Sequence, residues 1–578
     1  MADKKTLTGV FAGGFMDRLG QALQEGGFIT QEQLNKAREL SQSSGKRLTD
    51  VLQEQGFTSR EILTSALSFQ FKIPVVHLKQ AEIDPKALEL IPEEFAREHE
   101  VFPFGFEPSG ALKVATENPQ NFELINTLSG MTRKPIRTYL PLDSRVGELI
   151  ESSYSTLPGI TEELTQAVET AAEQLPARTP AGPPTTVEEL GQVPIVRAVE
   201  MITFRAVKSR ASDIHIVPTY DSSKVLYRID GVLHESITLP LSVHQNMISR
   251  IKVMANMDIT EKRRPQDGHF TMEFGERKVD FRVAAIQTSY GEMMVIRVLD
   301  KSFTGFDFAE LGLVGEARRV YDRLMDYPLG MILISGPTGS GKTTTLYATV
   351  NKLADGRRNV MTIEDPVEYR FDNISQIETN PAAGIDFATG LRSIMRMDPD
   401  IILVGEIRDG ETARVAIQAA NTGHLVLSSI HANDSASATV RLLDLGVESF
   451  AVSSGLIGVV AQRLVRKICP HCKTLTAPTA TEAIIYEQEM QEPAGEFYSG
   501  RGCNFCSGTG FLGRLGVFEV LLVTEEIRSL ILRSANATQI KEQAIKEGTI
   551  PLRRDGMLKA KEGMTTIQEV IRKVFTTD

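Results

Sequence analysis

Long apolar runs are missing from this chain. Its longest, such as Met331 to Ile334, fall far short of the roughly 18 residues needed to cross a bilayer, so no membrane-spanning helix is expected. The first residues, MADKKTLTGVFAGG, lack an apolar core followed by a small-residue cleavage site. No secretory signal is expected, and the chain is expected in the cytoplasm, reaching a membrane only peripherally through something already embedded there. An excess of positive charge is missing as well. A net charge of -11, with no stripe interleaving aromatic and basic residues, argues against a nucleic-acid groove, because phosphate backbones attract concentrated Lys and Arg. Cysteine is scarce, with four in 578 residues, too few for a disulfide scaffold. What remains is ordinary globular chemistry: 42% hydrophobic and 24% charged residues describe a well-packed protein, and the length predicts about two to four domains.

The clearest seam runs from Leu157 to Gln192, rich in Thr, Ala, Pro and Glu, which predicts a flexible linker. Upstream lies a tandem repeat. Arg18-Leu19-Gly20, Leu23, Gly27 and Leu34 return 29 residues later as Arg47-Leu48-Thr49, Leu52, Gly56 and Leu63. Each unit reads as two short amphipathic helices around a Gly-containing turn, burying a Leu face. The repeat reads either as a structural unit that only buries this face or, from the Arg-Leu pair beside exposed helix N-H groups, as a candidate seat for an anionic ligand. Ile83 to Tyr154 alternates strand-like and helix-like runs, including Ala111 to Ala115, and predicts a small α/β unit. Past the linker, Ile195 to Leu299 reads as a second α/β domain, with strand-like segments at 213–217, 224–229, 278–284 and 292–298. Its strand edges and loops are rich in Arg.

The strongest motif follows. Apolar Met331-Ile332-Leu333-Ile334 leads into Gly336-Pro337-Thr338-Gly339-Ser340-Gly341-Lys342-Thr343-Thr344 and a helix-forming segment, the strand, glycine-rich loop and helix order that cradles phosphates. Backbone N-H groups surround a β-phosphate at a helix N-terminus, Lys342 neutralises β/γ oxygens, and the Thr343 hydroxyl suits Mg²⁺. ATP and Mg²⁺ are the expected ligands. Two apolar strands then end in acids, Val360 to Glu364-Asp365 and Ile401 to Gly405-Glu406. At the C-terminal ends of parallel strands such acids face the phosphate crevice, where one can hold the metal and the other can deprotonate water. A buried strand runs between His424 and His431, and one of these histidines is a candidate sensor of the γ-phosphate or a candidate relay of its loss to a neighbouring subunit.

All four cysteines fall into two C-x-x-C knuckles, Cys469/Cys472 and Cys503/Cys506. In a reducing compartment this spacing predicts a closed, structural Zn²⁺ site without catalysis.

GPTGSGKT, IEDPVE, IILVGEIRD and TGHLVLSSIHAND, preceded by RASDIHI, YRIDG and RRPQDG and followed by the paired cysteines, resemble the type II secretion and type IV pilus assembly ATPase family. The ordered motifs run from about Val193 to the C-terminus. The resemblance implies an α/β architecture: a PAS-like domain (193–300) before a RecA-like ATPase domain (301–578) carrying the zinc module (about 466–516) and C-terminal helices. It implies a homohexamer with nucleotide between the two domains, docked on an inner-membrane platform protein and driving assembly of a pilus or pseudopilus. Glu364 maps to the candidate base, Glu406 to the magnesium-holding acid of an atypical Walker B strand, and His424 and His431 to the His box. Arginine from the PAS-like domain maps to Arg228, with Arg263, Arg264, Arg282 and Arg297 as further candidates for a neighbour's γ-phosphate. The cysteine module and long N-terminal extension align with the extension branch of the family, as opposed to retraction motors. A RecA-fold nucleic-acid translocase is the competing class.

The N-terminal repeats resemble a cyclic di-GMP-binding domain with the pattern R-L-G-x-x-L-x-x-x-G, which assigns Arg18, Leu19, Gly20, Arg47 and Leu48 to the dinucleotide. Residues 1–156 then form a regulatory domain, joined through 157–192. The second copy departs from the pattern, with Thr49 in place of Gly.

Overall fold

The computed structural model describes residues 193–274, 277–300, 307–506 and 508–574, and upstream of these 90–119, 121–142 and shorter stretches within 23–88 and 146–150. Arg18, Leu19, Gly20, Arg47, Leu48 and the expected linker 157–192 lie outside the described residues. The chain forms two compact units, the first built mainly from residues up to Thr271 and Phe281–Val298, the second mainly from Leu299–Gly502 and Thr509 onward. The main stretch of the second unit starts at Leu299, with Met272–Asp280 also in that unit, and the stretches on either side of 157–192 both fall in the first. No helix among the described residues is long and apolar enough to cross a membrane.

Near the start of the first unit lies helix α1 (Gln31–Ser44). Leu23, Leu34, Leu52 and Leu63, the repeating leucines, share one buried core with Ile29, Ala37 and Val51, so the apolar face read from the repeat is a packing face. A four-stranded sheet follows, ordered β1-β4-β3-β2 from β1 (Val75–Val76), β2 (Val101–Phe106), β3 (Leu112–Thr116) and β4 (Ile136–Pro141). Helices α2 (Pro85–Leu88), α3 (Glu93–His99) and α4 (Phe122–Thr132) accompany it. Then α5 (Val193–Lys208) and α6 (Leu241–Met254) go with a six-stranded sheet ordered β7-β6-β5-β10-β9-β8. Its strands are β5 (Ala211–Pro218), β6 (Ser222–Ile229), β7 (Val232–Pro240), β8 (Gln266–Phe274), β9 (Arg277–Thr288) and β10 (Gly291–Asp300). Alternation buries Ile214, Ile216, Val225 and Tyr227. The apolar pattern identifies four of these strands; β7 and β8 have few fully buried positions, which is why their signal is weak.

The second unit is a seven-stranded sheet ordered β13-β12-β14-β15-β11-β16-β19. Helix α7 (Gly315–Met325) precedes β11 (Gly330–Ser335), α8 (Lys342–Leu353), β12 (Val360–Glu364), β13 (Ser375–Glu378), α9 (Phe387–Ile394), β14 (Ile401–Val404), α10 (Gly410–Asn421), β15 (Leu425–Ile430), α11 (Ser435–Asp444), α12 (Ser449–Gly455) and β16 (Leu456–Ile468). All neighbours are parallel except β16, which is antiparallel to β19 (Phe511–Leu522). Every residue of β11, β14 and β15 is buried, as expected of parallel strands covered on both faces. The pleat sends Met331 and Leu333 into one core and Ile332 and Ile334 into the other. Three helices start on capping aspartates whose carboxylates accept from the chain: Asp386 from Thr389 N at 2.7 Å, Asp409 from Thr412 N at 2.8 Å and Asp434 from Ser437 N at 2.7 Å, each worth about 1 kcal/mol. Helix α8 has no side-chain cap; Gly341 stands at its N-cap in the left-handed region, so its first N-H groups remain for a ligand. Between β16 and β19 lie β17 (Lys473–Thr476), α13 (Ala480–Met490) and β18 (Phe497–Gly500), and α14 (Glu525–Leu532), α15 (Ala537–Lys546), α16 (Leu552–Lys561) and α17 (Ile567–Lys573) complete the chain.

Candidate functional site

The loop from Gly336 to Gly341 leaves the buried end of β11 and enters α8. Two glycines are sterically required. A Cβ at Gly336 would lie 2.4 Å from Ser340 Oγ and 2.6 Å from the Gln462 carbonyl oxygen, and one at Gly341, at φ +88°, would lie 2.8 Å from Gln462 Nε2. Pro337, Thr338, Gly339 and Thr343 are exposed, Thr344 is half-buried, and Ser340 is buried with its hydroxyl unpartnered. The Lys342 ammonium donates to the loop's own carbonyls, Gly336 O at 2.8 Å and Pro337 O at 3.2 Å. Burial and the Arg463 charge hold its pKa below the ordinary lysine range, while Glu406 opposes them.

Glu406 follows β14 directly and is 17% exposed. One carboxylate oxygen is 2.5 Å from His431 Nε2 and the other accepts from Arg408 Nε at 2.9 Å. With Lys342 close enough to feel its charge, this acid sits among cations. Glu364, at the end of β12, is held differently. It is 4% exposed and accepts from three neutral donors: the Tyr347 hydroxyl, Thr362 Oγ1 at 2.6 Å and Gln376 Nε2 at 3.2 Å. Tyr347 belongs to α8, and its hydroxyl in turn accepts from Glu368 N at 3.1 Å. Burial, then the Glu364 carboxylate, push the phenol pKa well above its usual value.

The structure separates the two histidines. His431 reaches Glu406, but His424 stands at the opposite end of β15, its Nδ1 2.9 Å from the Ala419 carbonyl. Seven residues at about 3.3 Å each put roughly 20 Å between them, so His424, expected near the γ-phosphate, lies away from the phosphate end of this sheet. The five candidate arginines all lie in the first unit, the phosphate loop in the second. Arg228 and Arg297 flank Asp213, with Nε–Oδ separations of 3.5 and 3.3 Å. Arg263 and Arg264 cap a turn whose backbone N-H groups donate to Glu261 at 2.6 and 3.2 Å, and Arg282 is half-buried on β9.

Three residues of the loop's surroundings carry no motif. Gln462 on β16 accepts from Thr345 Oγ1 at 2.8 Å and so braces α8; Tyr347 and Arg463 are the others. Nothing local marks Gln462 and Arg463, since β16 arrives more than a hundred residues after the loop, and Tyr347 on α8 reads as a core residue. The four cysteine sulfurs lie within 4.8 Å of one another, and those of Cys503 and Cys506 are 3.7 Å apart. A tetrahedral Zn²⁺ with bonds of about 2.3 Å would separate its sulfurs by about 3.8 Å, so this donor set fits zinc. For Mg²⁺ the exposed Thr343 hydroxyl and the Glu406 carboxylate are suitable oxygens.

Residues 188–572 match the family of type II/IV secretion system proteins, and residues 71–160 match the MshEN domain. The latter match begins after the paired arginines of the repeat. The type IV pilus assembly ATPase PilB of Myxococcus xanthus (strain DK1622) is 37% identical over 565 residues, covering 96% of this chain and 98% of its own. Type II secretion system protein E of Xanthomonas campestris pv. campestris is 37% identical over 566 residues, again covering 96% and 98%. Among solved structures, the Legionella pneumophila ATPase DotB is 18% identical with a TM-score of 0.49, covering 68% of this chain and 96% of its own.

Proposed function

This chain belongs to the family of type II/IV secretion system proteins, a family of ATP-hydrolysing motors, and from that premise we propose that it drives extension of a type IV pilus or a type II secretion pseudopilus. The observation that carries the reading is the convergence of the Lys342 loop with a strand-end glutamate beside the Arg408 and Lys342 charges, in a chain matched over nearly its whole length by a pilus assembly ATPase and a type II secretion protein E. A retraction role has less support, because the relatives are named for assembly and secretion.

On this reading Lys342 exchanges the carbonyls of Gly336 and Pro337 for phosphate oxygens, and residues 336–344 wrap the phosphates with backbone N-H groups. Glu406 and Thr343 hold Mg²⁺, which supplies neutralisation of the developing charge. Glu364 orients the attacking water and takes its proton, giving up one of its three hydrogen bonds to do so. His431 positions Glu406. An arginine among Arg228, Arg263, Arg264, Arg282 and Arg297 acts on a neighbouring copy in a homohexamer. Cys469, Cys472, Cys503 and Cys506 bind structural Zn²⁺, the N-terminal domain binds cyclic di-GMP, and the ring works in the cytoplasm against an inner-membrane platform protein, with no nucleic acid involved.

Phosphate release by the purified protein, with and without cyclic di-GMP and alongside its mass in solution, tests this directly. ATP turnover by a six-copy species supports the motor. Turnover that appears only on addition of single-stranded DNA would favour a translocase instead.

A further inference from the structure

We infer that Arg463 is a second cation of the triphosphate site, supplied by the same chain as Lys342. The inference rests on reading 336–344 as the phosphate loop and adds to it a residue that no motif marks.

The position follows from sheet register. Strand β16 runs beside β11, with Ile334 opposite Val460 and Ser335 opposite Ala461, so the next residues of β16 stand where β11 gives way to the loop. Gln462 presents its carbonyl to Gly336 and its side chain to α8. Arg463 comes next. Its Nη1 donates to the Gln462 carbonyl at 3.2 Å, and its Nη2 donates to Asn433 O at 2.8 Å and Asn433 Oδ1 at 3.2 Å. The guanidinium is thereby tethered between the Gln462 carbonyl, which a Cβ on Gly336 would meet, and the segment that follows β15 and His431.

Every acceptor in that tether is neutral. The side chain is only partly exposed, and the carboxylates of Asp434 and Glu519 act on it through their field, without a hydrogen bond to it. Lys342 is likewise hydrogen-bonded only to carbonyls. Two cations beside one loop, with Arg463 weakening the hold of Lys342 on its proton, are unfavourable unless an anion with several charges lies between them. A guanidinium has five N-H donors, and the contacts above engage at most three. The buried, unpartnered Ser340 hydroxyl in the same loop is a further polar group without a protein partner. A triphosphate satisfies all three at once.

The test is equilibrium binding of a fluorescent ATP analogue to full-length protein carrying Arg463→Gln, Arg463→Lys or Lys342→Ala, with the melting temperature of each as a folding control. Loss of one charge-assisted contact to phosphate weakens binding about tenfold, so Arg463→Gln should show that loss. Arg463→Lys, which keeps the charge but not the planar fork, should lie within about threefold of the unaltered protein. Unaltered affinity in Arg463→Gln overturns the inference. So does equal loss in the Lys and Gln variants, because a tether that needs only the guanidinium shape would not be rescued by charge. If Lys342→Ala binds ATP normally, the reading of the loop itself fails, which is a separate result.

Discussion

The ends of β12 and β14 each present a glutamate, and the surroundings of the two carboxylates differ in kind. Glu406 stands between His431 and Arg408 with Lys342 nearby, so its charge is balanced and its partners are themselves able to meet phosphate. Glu364 is sealed among a phenol, a hydroxyl and an amide, with no cation paired to it among the described residues. A carboxylate among cations suits permanent charge, such as holding a metal. One held by three neutral donors can exchange a donor for a water molecule and then accept its proton. Equivalent positions at adjacent strand ends therefore carry distinct chemistry, and the difference is set by what the neighbouring elements bring: β15 and the segment after β14 for Glu406, α8 and β13 for Glu364.

This contrast can be broken by substitution. The largest effect is expected from Glu406→Gln, which should cut steady-state phosphate release about 1000-fold and raise the Mg²⁺ concentration needed for half-maximal rate, since it removes the carboxylate charge available to a metal and leaves Arg408 and Lys342 without that counter-charge. Glu364→Gln should lower kcat about 100-fold while ATP affinity and Mg²⁺ dependence stay near normal. Were both variants to shift Mg²⁺ dependence equally, the two acids would not be functionally distinct. Tyr347→Phe keeps the ring against Tyr369 and Phe371 but removes one donor to Glu364; kcat should fall about fivefold with KM for ATP unchanged. Gln376→Leu removes the longest of the three bonds, and steady-state assays should show about a twofold loss in kcat. A larger effect from Gln376 than from Tyr347 would reverse the assigned order.

Much of this site is legible in the sequence because its signals are local. GPTGSGKT follows an apolar run and precedes a helix, and each glutamate follows an apolar strand, so the order of residues along the chain is enough to expect Lys342, Glu364 and Glu406 at the same end of one parallel sheet. The cysteine spacing is local too, and the sulfurs do converge. His424 and His431 stand apart for a physical reason: a motif names both histidines together, but a strand of six residues carries its flanking residues to opposite ends. Gln462, Arg463 and Tyr347 give no local signal, because strand order brings β16 beside β11, and because a tyrosine on a helix looks like core until its hydroxyl finds a partner. In the first unit, strands with strong alternation are visible in the sequence, whereas β7 and β8, with few fully buried residues, are not.

Lys342 is the residue on which phosphate binding by this loop depends most. Phosphate release by purified Lys342→Ala protein at saturating ATP and Mg²⁺ should fall to background while its melting temperature stays close to that of the unaltered chain. Hydrolysis at the normal rate would contradict the assignment of this loop and with it the roles of both glutamates.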